Sequence, residues 1–180
     1  MINTTIVNLF GGPGCGKSTA ACAAFSRLKL AGVNCELAPE YAKELVWDGA
    51  HFLLQQNPIH GFSEQYRRIL RLIGKVDVVI TDSPILLYAY YQRWSPELDA
   101  LILAEHHKWH TINFWIDRAK PYHQEGRMET EAQAQIVDAT LHGRLRSWNI
   151  PLRYVFGNDQ AGWTVANYIL ACKGSKDASV

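Results

Sequence analysis

Short apolar segments alternate with longer amphipathic segments along the chain. Five apolar runs have the length of strands, and they lie at residues 4–10, 33–38, 76–81, 111–116 and 152–156. Apolar residues at helical spacing predict helices at residues 17–31, 41–47, 63–75, 84–93, 95–109, 129–148 and 162–173, with a loop at 57–61. This alternation predicts an α/β fold in which a five-stranded parallel sheet lies between two layers of helices.

Composition limits the chain to one globular domain. It has 180 residues, of which 48% are hydrophobic and 19% are charged, so it is long and apolar enough to bury a core. We expect a single domain over residues 1–173 and a flexible tail at 174–180. The net charge of +1 excludes a generally basic nucleic-acid coat. We find neither a membrane span nor a cationic leader in the sequence, and we expect a cytoplasmic protein with no membrane partner.

A glycine-rich segment follows the first predicted strand and opens the first helix. Residues 11–18, Gly-Gly-Pro-Gly-Cys-Gly-Lys-Ser, match the pattern G-x-x-x-x-G-K-[ST]. Backbone N–H groups of such a loop converge on phosphate oxygens, the lysine ammonium binds the β- and γ-phosphates, and the serine hydroxyl can bind Mg²⁺. The predicted nucleotide-binding residues are Gly12, Pro13, Gly14, Cys15, Gly16, Lys17, Ser18 and Thr19.

Two acidic residues follow other predicted strands at the same edge of the sheet. Asp82 ends the apolar run 76–81, and beside a phosphate loop it is expected to hold Mg²⁺ together with Ser18. Glu40 follows the second strand and can accept the proton of an acceptor hydroxyl. Each has an alternative role as a helix cap, and Asp82 is the alternative base.

A polar segment at residues 117–128 lies between the fourth strand and a long helix, where a lid is expected. Arg118, Arg127 and Lys120 could close over a triphosphate, neutralise developing charge and exclude water. The alternative is a solvated loop whose arginines pair with Glu125 and Glu129.

Recognition of the acceptor is expected between residues 41 and 94. Arg67 and Arg71 lie one helical turn apart and could bind acceptor phosphates, although a solvated helix face would show the same pattern. Gln65 could read a base edge, and Tyr88 belongs to an aromatic cluster at 88–94 that either stacks a base or lies in the core.

Two classes of nucleotide-binding protein are disfavoured. No Asn-Lys pair occurs, so the guanine-reading motif of a GTP switch is absent from the sequence. A motor ATPase of the AAA type would need a second helical domain with arginine sensors, for which 180 residues are too few. A phosphotransferase remains the leading interpretation.

Several motifs together resemble the small P-loop kinases of the NadR-like ATPase/kinase group found among phage-type proteins. The resemblance runs from Ile6 to about Arg144. It rests on residues 7–19, on Pro-Glu-Tyr-Ala-Lys-Glu-Leu-Val-Trp at 39–47, on residues 74–84, on Arg118-x-Lys120-Pro121-Tyr122 and on Gly126-Arg127. It implies a three-layer P-loop NTPase fold like that of nucleoside and nucleotide kinases, and for this fold we expect the strand order 2-3-1-4-5.

Some members of that group look like 5-hydroxymethyluracil DNA kinases, which act in thymine hypermodification of phage DNA. The resemblance therefore implies ATP and Mg²⁺, and as acceptor a hydroxymethylpyrimidine in DNA whose base is flipped out to reach the phosphate loop. A phage-encoded enzyme would work in the host cytoplasm. A kinase of a free nucleoside or nucleotide and a regulatory ATPase without an acceptor remain open, and the sequence leaves the oligomeric state undetermined.

Overall fold

A five-stranded parallel sheet forms the centre of the protein. The structure is a computed structural model that describes residues 3–92, 95–123 and 129–177. The strands are β1 (Thr5–Phe10), β2 (Cys35–Ala38), β3 (Val78–Thr81), β4 (Thr111–Asp117) and β5 (Arg153–Phe156). They pair in the order β2-β3-β1-β4-β5, and central Val7 lies opposite both Ile80 and Ile112. The predicted fold class and strand order are confirmed.

The described residues form eight helices around this sheet. They are α1 (Lys17–Leu30), α2 (Tyr41–Trp47), α3 (Phe52–Gln56), α4 (Pro58–Leu70), α5 (Leu86–Gln92), α6 (Pro96–His107), α7 (Glu131–Ser147) and α8 (Ala161–Asp177). Helix α2 has the predicted bounds, and α8 continues four residues past its predicted end at Lys173. Within the described ranges, no helix has the length and apolar character needed to cross a membrane.

Two apolar cores lie on opposite faces of the sheet and make the fold three-layered. On one face α1 and α8 pack closely, since a Cβ at Gly162 would lie 2.4 Å from the Ala23 Cβ. On the other face β1, β3 and β4 contribute residues such as Ile6, Val79 and Trp115 to a core shared with α4–α7. The apolar residues of each strand are therefore covered on both sides, as expected for a central parallel sheet.

The predicted loop at 57–61 is wrong, because a helix begins there. Asn57 accepts a hydrogen bond from the His60 N–H through its side chain, and Pro58 occupies the first turn of α4. The helix predicted over 63–75 therefore runs from 58 to 70, followed by turns over residues 71–75 in which Gly74 has φ of 75°. The buried side chains of α4 include Phe62, Gln65 and Ile69.

Candidate functional site

The segment between β1 and α1 is a tight loop that needs glycine at three positions. Gly11, Gly14 and Gly16 have φ values of 142°, 75° and 103°, in the region that residues with a Cβ rarely adopt. Gly16 is the N-cap of α1 and provides no side-chain cap, so the first N–H groups of the helix point towards the loop. The loop therefore has the backbone form of an anion cradle.

Lys17 lies folded over this cradle. Its Nζ donates hydrogen bonds to the carbonyl oxygens of Gly11 and Gly12, at 2.8 Å and 2.9 Å. Ser18 is half-buried and Thr19 is exposed in the first turn of α1. The ammonium group is thus held next to the position where phosphates would lie against the loop N–H groups.

An ion pair that the sequence did not reveal stabilises the phosphate loop from the side of α7. The Asp138 carboxylate on α7 accepts a hydrogen bond from the Gly12 N–H at 2.6 Å and pairs with Arg118 at 2.8 Å. Arg118 also donates to the Pro13 carbonyl oxygen at 2.8 Å. Arg118 is therefore attached to the phosphate loop and to α7, and Glu125, its expected partner in the alternative interpretation, lies outside the described residues. Asp138 was missed because its role depends on a residue 126 positions away.

Removing Asp138 should loosen the phosphate loop. Asp138→Ala leaves the Gly12 N–H and the Arg118 guanidinium without their shared partner, and the free energy of unfolding should fall by about 3 kcal/mol. The KM for ATP should rise as well. Denaturant unfolding and steady-state kinetics measure the two effects. Asp99→Ala is the control, since Asp99 pairs with half-exposed Arg144 at 3.4 Å and should contribute less than about 1 kcal/mol. Equal losses in the two variants would contradict the supporting role.

The segment after β4 lies directly on the phosphate loop. A Cβ at Gly14 would lie 2.8 Å from the Tyr122 ring, and the Tyr122 hydroxyl donates to the Glu129 carbonyl oxygen at 2.5 Å. The described part of the predicted lid thus covers the loop as far as residue 123. The predicted lid residue Arg127 lies outside the described residues, and Lys120 is exposed.

Charged groups of both signs lie around Glu40 beside the loop, namely Lys17, Asp82, Lys43 and Glu129. Burial raises the pKa of Glu40 above its ordinary value of 4.5, Lys17 acts in the opposite direction, and the nearby charge of Asp82 raises it further. Glu129 adds a third carboxylate to this group. The structure therefore brings together the residues that the sequence predicted as base, metal ligand and phosphate-binding lysine.

Neither carboxylate serves as a helix cap. Glu40 is the N-cap residue of α2, but its side chain makes no capping bond. The Gln65 side chain accepts the hydrogen bond from the Tyr41 N–H instead, at 2.9 Å. After β3, the Ser83 N–H donates to the Thr81 hydroxyl. The Glu40 and Asp82 side chains remain available for chemistry.

The residues predicted to bind the acceptor differ in burial. Gln65 is fully buried, with its oxygen bonded to Tyr41, so it faces the core and not a ligand. Arg67 and Arg71 lie on the exposed face of α4, where Arg67 pairs with Glu64. In that helix it is Arg68, not singled out from the sequence, whose side chain is largely buried, because it pairs with Glu44 of α2.

The aromatic cluster at 88–94 is partly core. Tyr88 and Tyr90 are buried, whereas Tyr91 is 44% exposed. Burial of the Tyr91 hydroxyl is the main cause that raises its pKa, and the charges of nearby Glu129 and Glu40 raise it further. Arg93 and Trp94 lie outside the described residues.

Four buried side-chain atoms have no hydrogen-bond partner within the described part of the chain. They are Arg68 Nε, Asp82 Oδ1, the Tyr88 hydroxyl and Arg118 Nη1. Buried polar atoms are nearly always paired, so unpaired ones need an explanation. Asp82 and Tyr88 lie near Glu40, Arg68 lies near Tyr88, and Arg118 contacts the phosphate loop. Their grouping around one place indicates a ligand site.

A cavity of about 810 Å³ lies at the end of the sheet opposite the phosphate loop, beside the amino ends of four strands. It is lined by Thr5, Asp77, His110 and Lys173 among others, and by none of the predicted site residues. Two pairs of these polar side chains bond to each other: Asp77 with Lys173 at 2.6 Å and Thr5 with His110 at 3.0 Å. The chemistry of the loop is therefore separate from this cavity.

Comparison with known proteins agrees with the loop and the fold. No curated protein matches the chain. The family model described as an AAA domain matches residues 6–160, from β1 through β5 to the loop before α8. That match covers most of the chain and includes the phosphate loop, Glu40, Asp82 and Arg118, and it implies nucleotide binding with kinase or ATPase activity. The chain therefore belongs to the AAA_28 family of AAA domains, which are of the P-loop NTPase type.

Proposed function

We propose that the protein transfers the γ-phosphoryl group of ATP to the hydroxymethyl group of 5-hydroxymethyl-deoxyuridine in DNA. The observation that carries this proposal is Glu40, a half-buried carboxylate with a raised pKa that makes no capping bond and lies close to Lys17. A carboxylate at this place can accept the proton of an acceptor alcohol and orient the attacking oxygen.

In the proposed reaction the acceptor oxygen attacks the γ-phosphorus while Glu40 accepts the hydroxyl proton. The bond from the γ-phosphorus to its bridging oxygen breaks, and ADP leaves with the electron pair. Lys17 and the loop N–H groups stabilise the charge on the phosphate oxygens. Arg118, whose Nη1 is buried and unpaired beside Gly14, is placed to contact a phosphate, and Arg127 is proposed to act from the lid.

The residues beside the loop fit Mg²⁺. The ion prefers oxygen ligands, and one carboxylate oxygen of Asp82 is buried without a partner within the described ranges. Ser18 and Asp82 would hold the ion, which would neutralise charge on the phosphates when bound.

A free nucleoside or nucleotide is the second candidate acceptor. The net charge of +1 favours it, because proteins that bind DNA usually present a basic surface. The flipped base of a DNA substrate and a free nucleoside would present the same hydroxymethyl group to Glu40, so both candidates use the same mechanism.

Labelled ATP distinguishes the candidates. The protein is incubated with ATP labelled at the γ-phosphate and one of three acceptors: duplex DNA containing 5-hydroxymethyluracil, the free nucleoside, or ordinary DNA. We expect label in the first only. Label in the nucleoside supports the second candidate, and release of free phosphate alone with every acceptor would refute a transferase.

A further inference from the structure

Two of the four unpaired buried atoms lie on the acceptor side of the site and have no part in the mechanism above. Arg68 Nε belongs to α4 and the Tyr88 hydroxyl to α5. The two groups are near enough for the Arg68 charge to act on the Tyr88 hydroxyl, as does the charge of Glu40. Tyr88 therefore lies near the carboxylate that would receive the acceptor proton, and Arg68 packs on the ring of Tyr41, the residue that follows this carboxylate in the chain.

Arg68 is held in a defined orientation. Two of its nitrogens donate to the Glu44 carboxylate at 2.8 Å and 2.6 Å, and its guanidinium carbon lies 5.2 Å from the centre of the Tyr41 ring. The side chain is only 16% exposed. Glu44 thus compensates the positive charge and orients the group, and it leaves Nε as a donor without an acceptor.

Tyr88 is held equally firmly. The residue is 5% exposed, and its ring packs on Gly61, where an added Cβ would lie 3.0 Å from a ring carbon. Burial, together with the nearby Glu40 charge, raises the pKa of Tyr88, and a hydrogen bond from the Ser83 side chain to its oxygen acts in the opposite direction. The hydroxyl therefore keeps its proton at neutral pH. A protonated hydroxyl near a carboxylate and a guanidinium is available as a donor.

Within the described residues, the Arg68 Nε–H and the Tyr88 O–H are two buried donors that no acceptor receives, and a ligand with acceptor atoms would satisfy them. Arg68 is already neutralised by Glu44, and the carboxylates of Glu40 and Asp82 lie on the same side. An anionic group such as a phosphate would be repelled by this arrangement, whereas a neutral carbonyl oxygen would not. The chemistry that fits is the carbonyl edge of an uncharged base.

We propose that Arg68 and Tyr88 are specificity-determining residues that donate hydrogen bonds to a carbonyl oxygen of the acceptor pyrimidine and so select uracil over cytosine. This inference rests on the proposed function for its acceptor class. Uracil carries a carbonyl oxygen where cytosine carries an amino group. The carbonyl oxygen can accept hydrogen bonds from Arg68 and Tyr88, whereas the amino group is itself a donor and cannot. A buried donor left without an acceptor makes a site reject the wrong ligand strongly.

The test compares two single-stranded oligonucleotides that contain one 5-hydroxymethyluracil or one 5-hydroxymethylcytosine. The wild-type protein should phosphorylate the first with a kcat/KM about 10–100 times higher than the second. Arg68→Lys keeps the charge beside Glu44 but removes Nε, and should reduce this preference at least about tenfold, mainly through KM for the uracil substrate. Tyr88→Phe should reduce this preference as well, because it removes the second donor and keeps the ring that packs on Gly61.

Two matched variants control for general effects. Arg144→Lys changes an arginine that also pairs with a carboxylate and lies 4.9 Å from an aromatic ring, at Trp148. Tyr154→Phe removes a hydroxyl that is exposed and bonded to His142. Both should keep the wild-type preference. If Arg68→Lys and Tyr88→Phe behave like their controls while the wild-type protein phosphorylates the uracil substrate, the inference is overturned and the proposed function stands.

A binding measurement separates failure of the inference from failure of the proposed function. If the wild-type protein phosphorylates neither oligonucleotide, the proposed function fails. Calorimetric titration with uridine and cytidine, in the presence of a non-hydrolysable ATP analogue, then decides the inference alone. Tighter binding of uridine that Arg68→Lys abolishes and Arg144→Lys preserves would support it, and equal or undetectable binding of the two nucleosides would refute it.

Discussion

Replacing Lys17 by alanine should abolish phosphoryl transfer, lowering kcat/KM for ATP by at least about 10³-fold. The Nζ of Lys17 is held over the loop by the carbonyl oxygens of Gly11 and Gly12, where it is ready to exchange them for phosphate oxygens. Its removal takes away a charge that acts on both bound and reacting phosphates. Steady-state release of ADP and equilibrium binding of ATP measure the two contributions.

Lys29→Ala is the matched control for this experiment. Lys29 belongs to the same helix, α1, but is exposed and pairs with Glu36 at 2.9 Å. It should retain wild-type kinetics. Full activity in Lys17→Ala, with a protein that unfolds at the wild-type temperature, would show that the loop is not the nucleotide site.

Replacing Glu40 by glutamine should lower kcat by about 10²–10⁴-fold and leave the affinity for ATP nearly unchanged. The amide has almost the same shape but cannot accept the acceptor proton. Glu36→Gln, on the preceding strand and paired with exposed Lys29, is the control and should change neither constant. An unchanged kcat in Glu40→Gln would transfer the role of base to Asp82, which Asp82→Asn would then test.

The same substitution should stabilise the protein at neutral and alkaline pH. Burial is the main cause that raises the pKa of Glu40 above 4.5, so the folded state binds this proton more tightly than the unfolded chain. The stability that Glu40 contributes is therefore full below about pH 4.5 and is lost as pH rises through the raised pKa. Glu40→Gln carries no charge and should melt above the wild type at pH 8 but not at pH 4. Identical melting temperatures at pH 8 would contradict the burial of this carboxylate.

Local sequence patterns were sufficient for most of the fold. Each of the five apolar runs contains one of the five strands, and helix α2 has its predicted bounds. Both follow from the spacing of apolar residues within a few consecutive positions. The glycines at 11, 14 and 16 have the positive φ values that their loop requires. These features depend on residues that are neighbours in the chain.

The beginning of α4 shows where local patterns compete. The sequence predicted a loop at 57–61, whereas Asn57 caps α4 and Pro58 occupies its first turn. Arg67 and Arg71 lie exposed, and it is the Arg68 side chain that is largely buried. The spacing of residues within the helix could not show this, because Arg68 is held by an ion pair with Glu44, 24 positions away.

By itself, the sequence determined the strand order that its motifs implied, the phosphate loop and the two carboxylates that follow β2 and β3, because each is encoded within a few consecutive residues. Only the tertiary structure decided that Asp138 supports Gly12, that Gln65 caps α2 in place of Glu40, and that Tyr88 lies near Glu40. Those contacts join residues from 24 to 126 positions apart. Burial and electrostatics between such distant residues arise from packing, and no periodicity in the chain records them.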